Sequence, residues 1–266
     1  MYLEHWHLKE KPFENTPNPR FLYYSPKHEE ALARLNYAIL ERKGAALLTG
    51  EFGSGKTVLS RALEALLDNT KYKVVFITNP RLPALEFLVG IARQLGGEKM
   101  PERKIDLVDA IREMLTRNVT IGKDTVVVID EAQLIEERDI FEEIRLLLNY
   151  QQNDRFLLTL LLMGQPELRE KVYAIPPLKQ RMEVRYHLVA LNAGETQGYI
   201  RHRLSVAGGE EEIFSEKSMQ LVYENSKGLP REINNICDMS LLTAFVKKSK
   251  KVTEEIIQEV SKDFGG

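Results

Sequence analysis

Residues 44–57 read GAALLTGEFGSGKT: an apolar run, then three glycines in six residues, then a lysine and a threonine. Few folds accept such a stretch. The run suits a strand covered on both faces, and the residues after it have helical spacing at Leu59, Ala62, Leu63 and Leu66. Between strand and helix, Gly50-Glu51-Phe52-Gly53-Ser54-Gly55-Lys56-Thr57 fits the pattern G-x-x-x-x-G-K-[ST]. The glycines let the loop turn its N–H groups inward around phosphates, and the helix N-terminus adds partial positive charge. Lys56 is expected to reach the β- and γ-phosphates, and Thr57 to place its hydroxyl on Mg²⁺. The expected ligands are therefore a nucleoside triphosphate and Mg²⁺, held by Gly50, Glu51, Phe52, Gly53, Ser54, Gly55, Lys56, Thr57 and Val58. Nothing in the loop's backbone geometry calls for Glu51 and Phe52.

Four further apolar runs follow, VVFI (74–77), VVVI (126–129), LLTLLLM (157–163) and YHLV (186–189), separated by stretches such as the one carrying Phe141, Ile144, Leu147 and Leu148 at helical spacing. Most are continuous rather than alternating, as in a parallel sheet covered by helices. The reading is a three-layer α/β domain with five strands. After Asn192 the strand signals stop, and helices are expected over roughly 194–207, 216–226, 230–248 and 253–263, two of them preceded by the cap positions Ser215 and Thr253. The first 25 residues, rich in proline and aromatics, suit an ordered extended strap. Ser25-Pro26 then reads as a cap and first turn. The expected organisation is a strap (1–25), an α/β domain (26–192) and a helical lid (193–266).

The third run ends VVVIDEAQ. Asp130 follows apolar β-branched residues and is placed to hold Mg²⁺ together with Thr57. Glu131 is the adjacent carboxylate that orients and deprotonates water; as a plain helix-start carboxylate it would only answer the dipole. The pair points to hydrolysis. No N-K-x-D sequence occurs, so the guanine-recognition element of a GTPase is missing.

Bulk composition bounds the rest. The chain has 266 residues, 43% apolar and 29% charged, with a formal net charge of −2. That balance suits a folded globular protein and gives no global attraction to nucleic acid or anionic membrane. The single cysteine, Cys237, excludes an internal disulfide and reads as a buried small hydrophobe in a reducing cytosol. The longest apolar run is about seven residues, whereas a spanning helix needs about 20. No membrane insertion by these residues is expected, and the first residues lack an apolar segment of leader length.

The blocks PFENTPNPRFLYYSPKHEEAL, LLTGEFGSGKT, VVVIDEAQ, LLLMGQPEL, LKQRMEVRYHL and GLPREINNICD together resemble the AAA+ ATPases, and within them the ATPase domain of the general secretion pathway protein A (ExeA/GspA) type. The resemblance spans nearly the whole chain. It implies a P-loop NTPase (AAA+) fold, with a five-stranded parallel sheet and a C-terminal all-helical lid. It implies that Gln165 is the polar sensor at the end of a strand between the two phosphate-site strands. Arg181, with Arg185 as the alternative, would be the arginine reaching into a neighbouring subunit. Arg231 in GLPR would act from the lid on the subunit's own nucleotide. Catalysis would thus rest on Glu131, Lys56, Arg181, Gln165 and Arg231. Asn79 is a candidate to hold Glu131 inactive. The strap would cover the adenine, with Tyr23, Phe21 and Tyr24 as candidates, although each also reads as core packing. His28 falls in the HEEAL block and reads equally as a helix-surface histidine.

An arginine acting in trans implies a ring or helical homo-oligomer such as a hexamer. The family also implies a role in assembly or remodelling, envelope-secretion partner proteins, and a cytoplasmic location, either free or as the cytosolic domain of a longer inner-membrane protein. Two other functions fit. One is a DNA-associated AAA+ regulator of TniB or TnsC type, tracking phosphates with Arg81, Arg103, Lys104 and the run Lys247, Lys248, Lys250, Lys251. The other is a nucleotide-gated binding module with little turnover.

Overall fold

The computed structural model describes residues 2–152 and 155–264. The chain divides into two compact units. One comprises Glu29–Gly50 and Ser60–Leu188, the other Met1–His28, Glu51–Leu59 and Val189–Gly266.

The first unit is built on a sheet. In chain order the elements that lie wholly or mostly in it begin with α1 (Pro26–Leu40), β1 (Ala45–Gly50), α2 (Lys56–Leu66), β2 (Tyr72–Ile77), α3 (Ala84–Leu95), α4 (Lys104–Thr120) and β3 (Asp124–Ile129). They continue with α5 (Arg138–Leu147), β4 (Gln151–Gln152), β5 (Arg155–Phe156), β6 (Leu158–Gly164), α6 (Glu167–Tyr173), α7 (Pro176–Arg181) and β7 (Met182–Leu188). Five strands form one parallel sheet in the order β2-β3-β6-β1-β7. β1 and β6 are buried along their whole length, as continuous apolar runs demand. β7 lies at an edge, and Glu183, Arg185 and His187 are exposed between less exposed neighbours. That alternation explains why only its last residues stood out as apolar: the strand starts at Met182, four residues before the expected 186. The pair α3 and α4, between β2 and β3, was not anticipated. Phe87, Ile91, Ile111 and Leu115 from these helices are buried in the same core as Val75 and Val127.

The second unit is helical: α8 (Ala193–Val206), α9 (Glu216–Ser226), α10 (Pro230–Val246) and α11 (Glu254–Phe264). Asn192 opens α8 with a reciprocal capping box. Its Oδ1 accepts from the Glu195 N–H at 2.9 Å, and the Glu195 carboxylate accepts from the Asn192 N–H at 2.8 Å. Ser215 caps α9 as expected, accepting from the Ser218 N–H at 3.1 Å. The N-terminal residues contain one short 3₁₀ turn, Pro19–Phe21, and contribute Tyr2, Trp6, Phe13 and Phe21 to this unit's core. Buried Arg203 fastens them. It donates to the Pro12 and Glu14 carbonyls and to the Tyr199 hydroxyl, with its guanidinium 4.8 Å from the centre of the Phe21 ring. Cys237 is fully buried, and that burial pushes its thiol well above the usual range, so it is packing rather than chemistry. Among the described residues no helix is long and apolar enough to cross a membrane.

Candidate nucleotide site

Two groups of predicted site residues are assembled, one in each unit. The first is the loop after β1. Gly53 has φ +79°, and a Cβ there would lie 2.7 Å from the Arg231 Cβ, so glycine is required on both counts. The Arg231 N–H donates to the Gly53 carbonyl at 3.3 Å, and its guanidinium lies 4.6 Å from the centre of the Phe52 ring. Phe52, which the loop's backbone did not explain, is half exposed and offers Arg231 a flat face. Lys56 is buried and donates from Nζ to the Glu51 carbonyl at 2.9 Å. The Ser54 Oγ is buried with no hydrogen-bond partner among the described residues. An orphaned hydroxyl beside a buried ammonium, at a helix N-terminus, suits an anion with several acceptor oxygens. The donor set therefore fits a triphosphate.

His28 braces this loop. Its ring lies 3.2 Å from the Ser54 carbonyl through Nε2 and 2.8 Å from the Ser25 hydroxyl through Nδ1. A carbonyl can only accept, so Nε2 carries the proton; in the neutral ring, which burial favours, Nδ1 accepts from the Ser25 hydroxyl. Burial, the largest influence, holds His28 below the usual histidine range. His28 is thus an interior residue rather than a surface one, 4% exposed.

Beside it, Phe21, Leu22, Tyr23, Val58 and Tyr199 line a cavity of about 40 Å³. That is space for one or a few waters and too little for a purine, so a base would enter only if the walls part. Tyr24 is not among the lining residues and is half exposed.

The second group lies at the carboxyl edge of the sheet. β6 runs between β3 and β1, with Ile129 beside Leu162 and Thr49 beside Gly164. Asp130 thus leaves β3 two strand spacings, about 10 Å, from the end of β1, and Gln165 leaves the strand between. Asp130 is buried and accepts from the Glu131 N–H at 2.9 Å. Glu131 takes a left-handed conformation, φ 51°. Its carboxylate accepts from the side-chain amide of Gln133, whose oxygen accepts in turn from the Gln165 N–H at 3.0 Å. Asn79 does not take that place. It is exposed, and its Oδ1 accepts from the Arg81 N–H at 3.4 Å. Arg181 donates to the Leu148 carbonyl at 2.7 Å and to Asn149 Oδ1 at 2.6 Å. Arg185 is exposed and donates to the Met182 and Lys179 carbonyls. Sequence reasoning missed Gln133, and it named Phe52 only as a loop residue without its contact to Arg231, because nothing in a linear pattern shows what a side chain touches.

Residues 14–172 match the family model described as AAA domain. The chain belongs to the AAA family. Its sheet with flanking helices and phosphate loop is the P-loop NTPase fold, and the protein is a AAA+ ATPase related to the secretion-pathway type. Over 270 aligned positions this AAA chain is 40% identical to General secretion pathway protein A of Aeromonas hydrophila, an alignment that takes in all of the chain and 49% of that relative. It therefore spans about half the relative's length. Among solved structures, Cdc6p from Pyrobaculum aerophilum superposes with a TM-score of 0.74 at 20% identity, over 95% of this chain and 70% of that one. The Aeropyrum pernix ORC2 protein, solved as ADPNP–ADP complexes, superposes with a TM-score of 0.72 at 16% identity, over 96% of this chain and 71% of that one. At such identities the likeness is one of fold.

Proposed function

We propose that this AAA+ chain is an Mg²⁺-dependent ATPase that turns over as an oligomer and uses its nucleotide state for assembly or remodelling in an envelope-secretion setting. The observation that carries the reading is the phosphate-ready loop, with buried Lys56 and an orphaned Ser54 hydroxyl; within the other unit the carboxylate that the motif names, Glu131, is held by Gln133. Lys56 and the loop N–H groups bind the β- and γ-phosphates. Thr57 and Asp130 are the residues that would hold Mg²⁺, which supplies charge neutralisation at the transferring phosphoryl group. Glu131 takes the proton of the attacking water, Gln165 orients the γ-phosphate, and Arg231 answers its charge from the lid. Tyr23 belongs to the wall that closes on the base. Arg181, or Arg185 in its place, serves the neighbouring copy. The secretion setting and its partners rest on the identity with the Aeromonas protein.

Phosphate release measured against protein concentration tests this reading. A trans arginine contributes about 10³–10⁵ in rate where it has been removed. Turnover per chain should rise steeply with concentration and drop at least about a hundredfold in Arg181→Ala at unchanged nucleotide affinity. A dilute monomer as active as a concentrated sample sinks the shared site. Loss in Arg185→Ala instead moves the role to Arg185.

The DNA-associated reading finds less support. Of its seven candidate cations, four are ion-paired: Arg81 with Glu136, Arg103 with Asp106, Lys104 with Glu143 and Lys247 with Glu259. A salt-sensitive, ATP-dependent shift of duplex DNA would restore it.

A further inference from the structure

We infer that Gln133 is the positioning residue for Glu131, and that it ties the carboxylate to the backbone at the end of β6. The inference rests on the ATPase reading of Glu131 above. Three observations converge on this one side chain. Its amide nitrogen donates to a Glu131 carboxylate oxygen. Its amide oxygen accepts from the Gln165 N–H at 3.0 Å. Its seat is also built: a Cβ on Gly164 would lie 2.5 Å from the Gln133 Oε1 and 3.2 Å from the Gln133 backbone nitrogen, so the strand ends in glycine where this amide passes.

The turn that carries Gln133 is pinned as well. Lys171 on α6 donates from Nζ to the backbone carbonyls of Gln133 and Ile135, at 2.5 and 2.7 Å. An ammonium shared by two carbonyls fixes the course of the 3₁₀ turn Ala132–Leu134. The Gln133 side chain therefore starts from a fixed backbone and has both ends engaged.

The arrangement has a mechanical meaning. Glu131 sits in a left-handed conformation that a residue with a Cβ adopts only at a cost, and its side chain has free rotors unless something holds it. A general base works only when its oxygen is within hydrogen-bond reach of the water, so a carboxylate that swings loses rate without losing substrate. Gln133 fixes the carboxylate with one end while its other end reads the position of the Gln165 N–H. A shift of the sensor residue at the end of β6 is thereby transmitted to the base through two hydrogen bonds.

The test is Gln133→Met, which keeps length and volume and removes both polar ends. Single-turnover hydrolysis is measured on the full chain at a concentration where the wild type turns over, alongside titration with a fluorescent ATP analogue. The expected result is a kcat lowered about tenfold with analogue affinity within about twofold of wild type. In a Glu131→Gln background the same substitution should lower the residual rate no further, because Gln133 acts through Glu131. Gln133→Glu keeps one acceptor for the Gln165 N–H but sets a carboxylate against Glu131, and should not restore the rate. An unchanged kcat in Gln133→Met, or an equal tenfold fall in the Glu131→Gln background, overturns the inference while leaving the ATPase reading intact. A wild type that binds ATP and never hydrolyses it overturns both.

Discussion

Replacing Glu131 by Gln is expected to stop ATP turnover and leave ATP binding in place. The change keeps the shape of the side chain and removes the group proposed to take the proton from water. General-base removal typically costs about 10²–10⁴ in rate. The fall in kcat should therefore be at least about a hundredfold, with analogue affinity changed by less than about twofold. The local structure tolerates the substitution. The new amide still presents an oxygen to the Gln133 donor, and the Asp130 contact comes from the backbone N–H of residue 131. Phosphate release and nucleotide titration on one preparation decide the matter. Retained turnover would remove Glu131 as the base. Turnover too slow to measure in the wild type itself would favour a nucleotide-gated switch over an enzyme.

The second large effect lies in GLPR. Gly228 has φ +75°, and a Cβ there would sit 1.9 Å from the carbonyl oxygen of Leu191. The two backbones are also bonded, because the Leu191 N–H donates to the Gly228 carbonyl at 3.0 Å. Gly228→Ala must adopt a left-handed conformation at about 1 kcal/mol, and it must push apart two chain segments that have no flexible side chain to give way. A cost of about 4 kcal/mol is expected, a fall in melting temperature on the order of 10 °C. Gly122 is the internal control: its φ is +77°, yet nothing lies within 4 Å of its would-be Cβ. Gly122→Ala should cost only the conformational part, about 1 kcal/mol. Equal losses in the two variants, measured by thermal unfolding, would show that the close approach at Leu191 carries no weight.

Much of this protein can be read before any coordinates exist, and the physical reason is local. A phosphate loop needs glycines at fixed offsets, a lysine, and a hydroxyl at the start of a helix, so its chemistry is written in consecutive residues. Strands buried on both faces are continuous apolar runs, which is why β1, β3 and β6 were found close to their true bounds. The edge strand β7 was placed late because solvent on one side lets Glu183, Arg185 and His187 interrupt the pattern. The pair α3 and α4 escaped notice although its core residues are as buried as any strand.

Within the candidate site the same division holds. The motif alone names Lys56, Thr57, Asp130 and Glu131, and the resemblance adds Gln165, Arg181 and Arg231. Neither says that Arg231 packs on Gly53 and covers Phe52, that His28 is neutral and braces Ser54, or that Glu131 is held by Gln133 rather than Asn79. Those are contacts between residues from 2 to 179 positions apart, brought together by strand order and by the close approach of glycines. The sequence by itself determined which chemistry this chain carries, because that depends on residue types at short spacing. Only the tertiary structure decided which side chain restrains Glu131 and which glycine cannot change, because both depend on what the fold sets beside each residue.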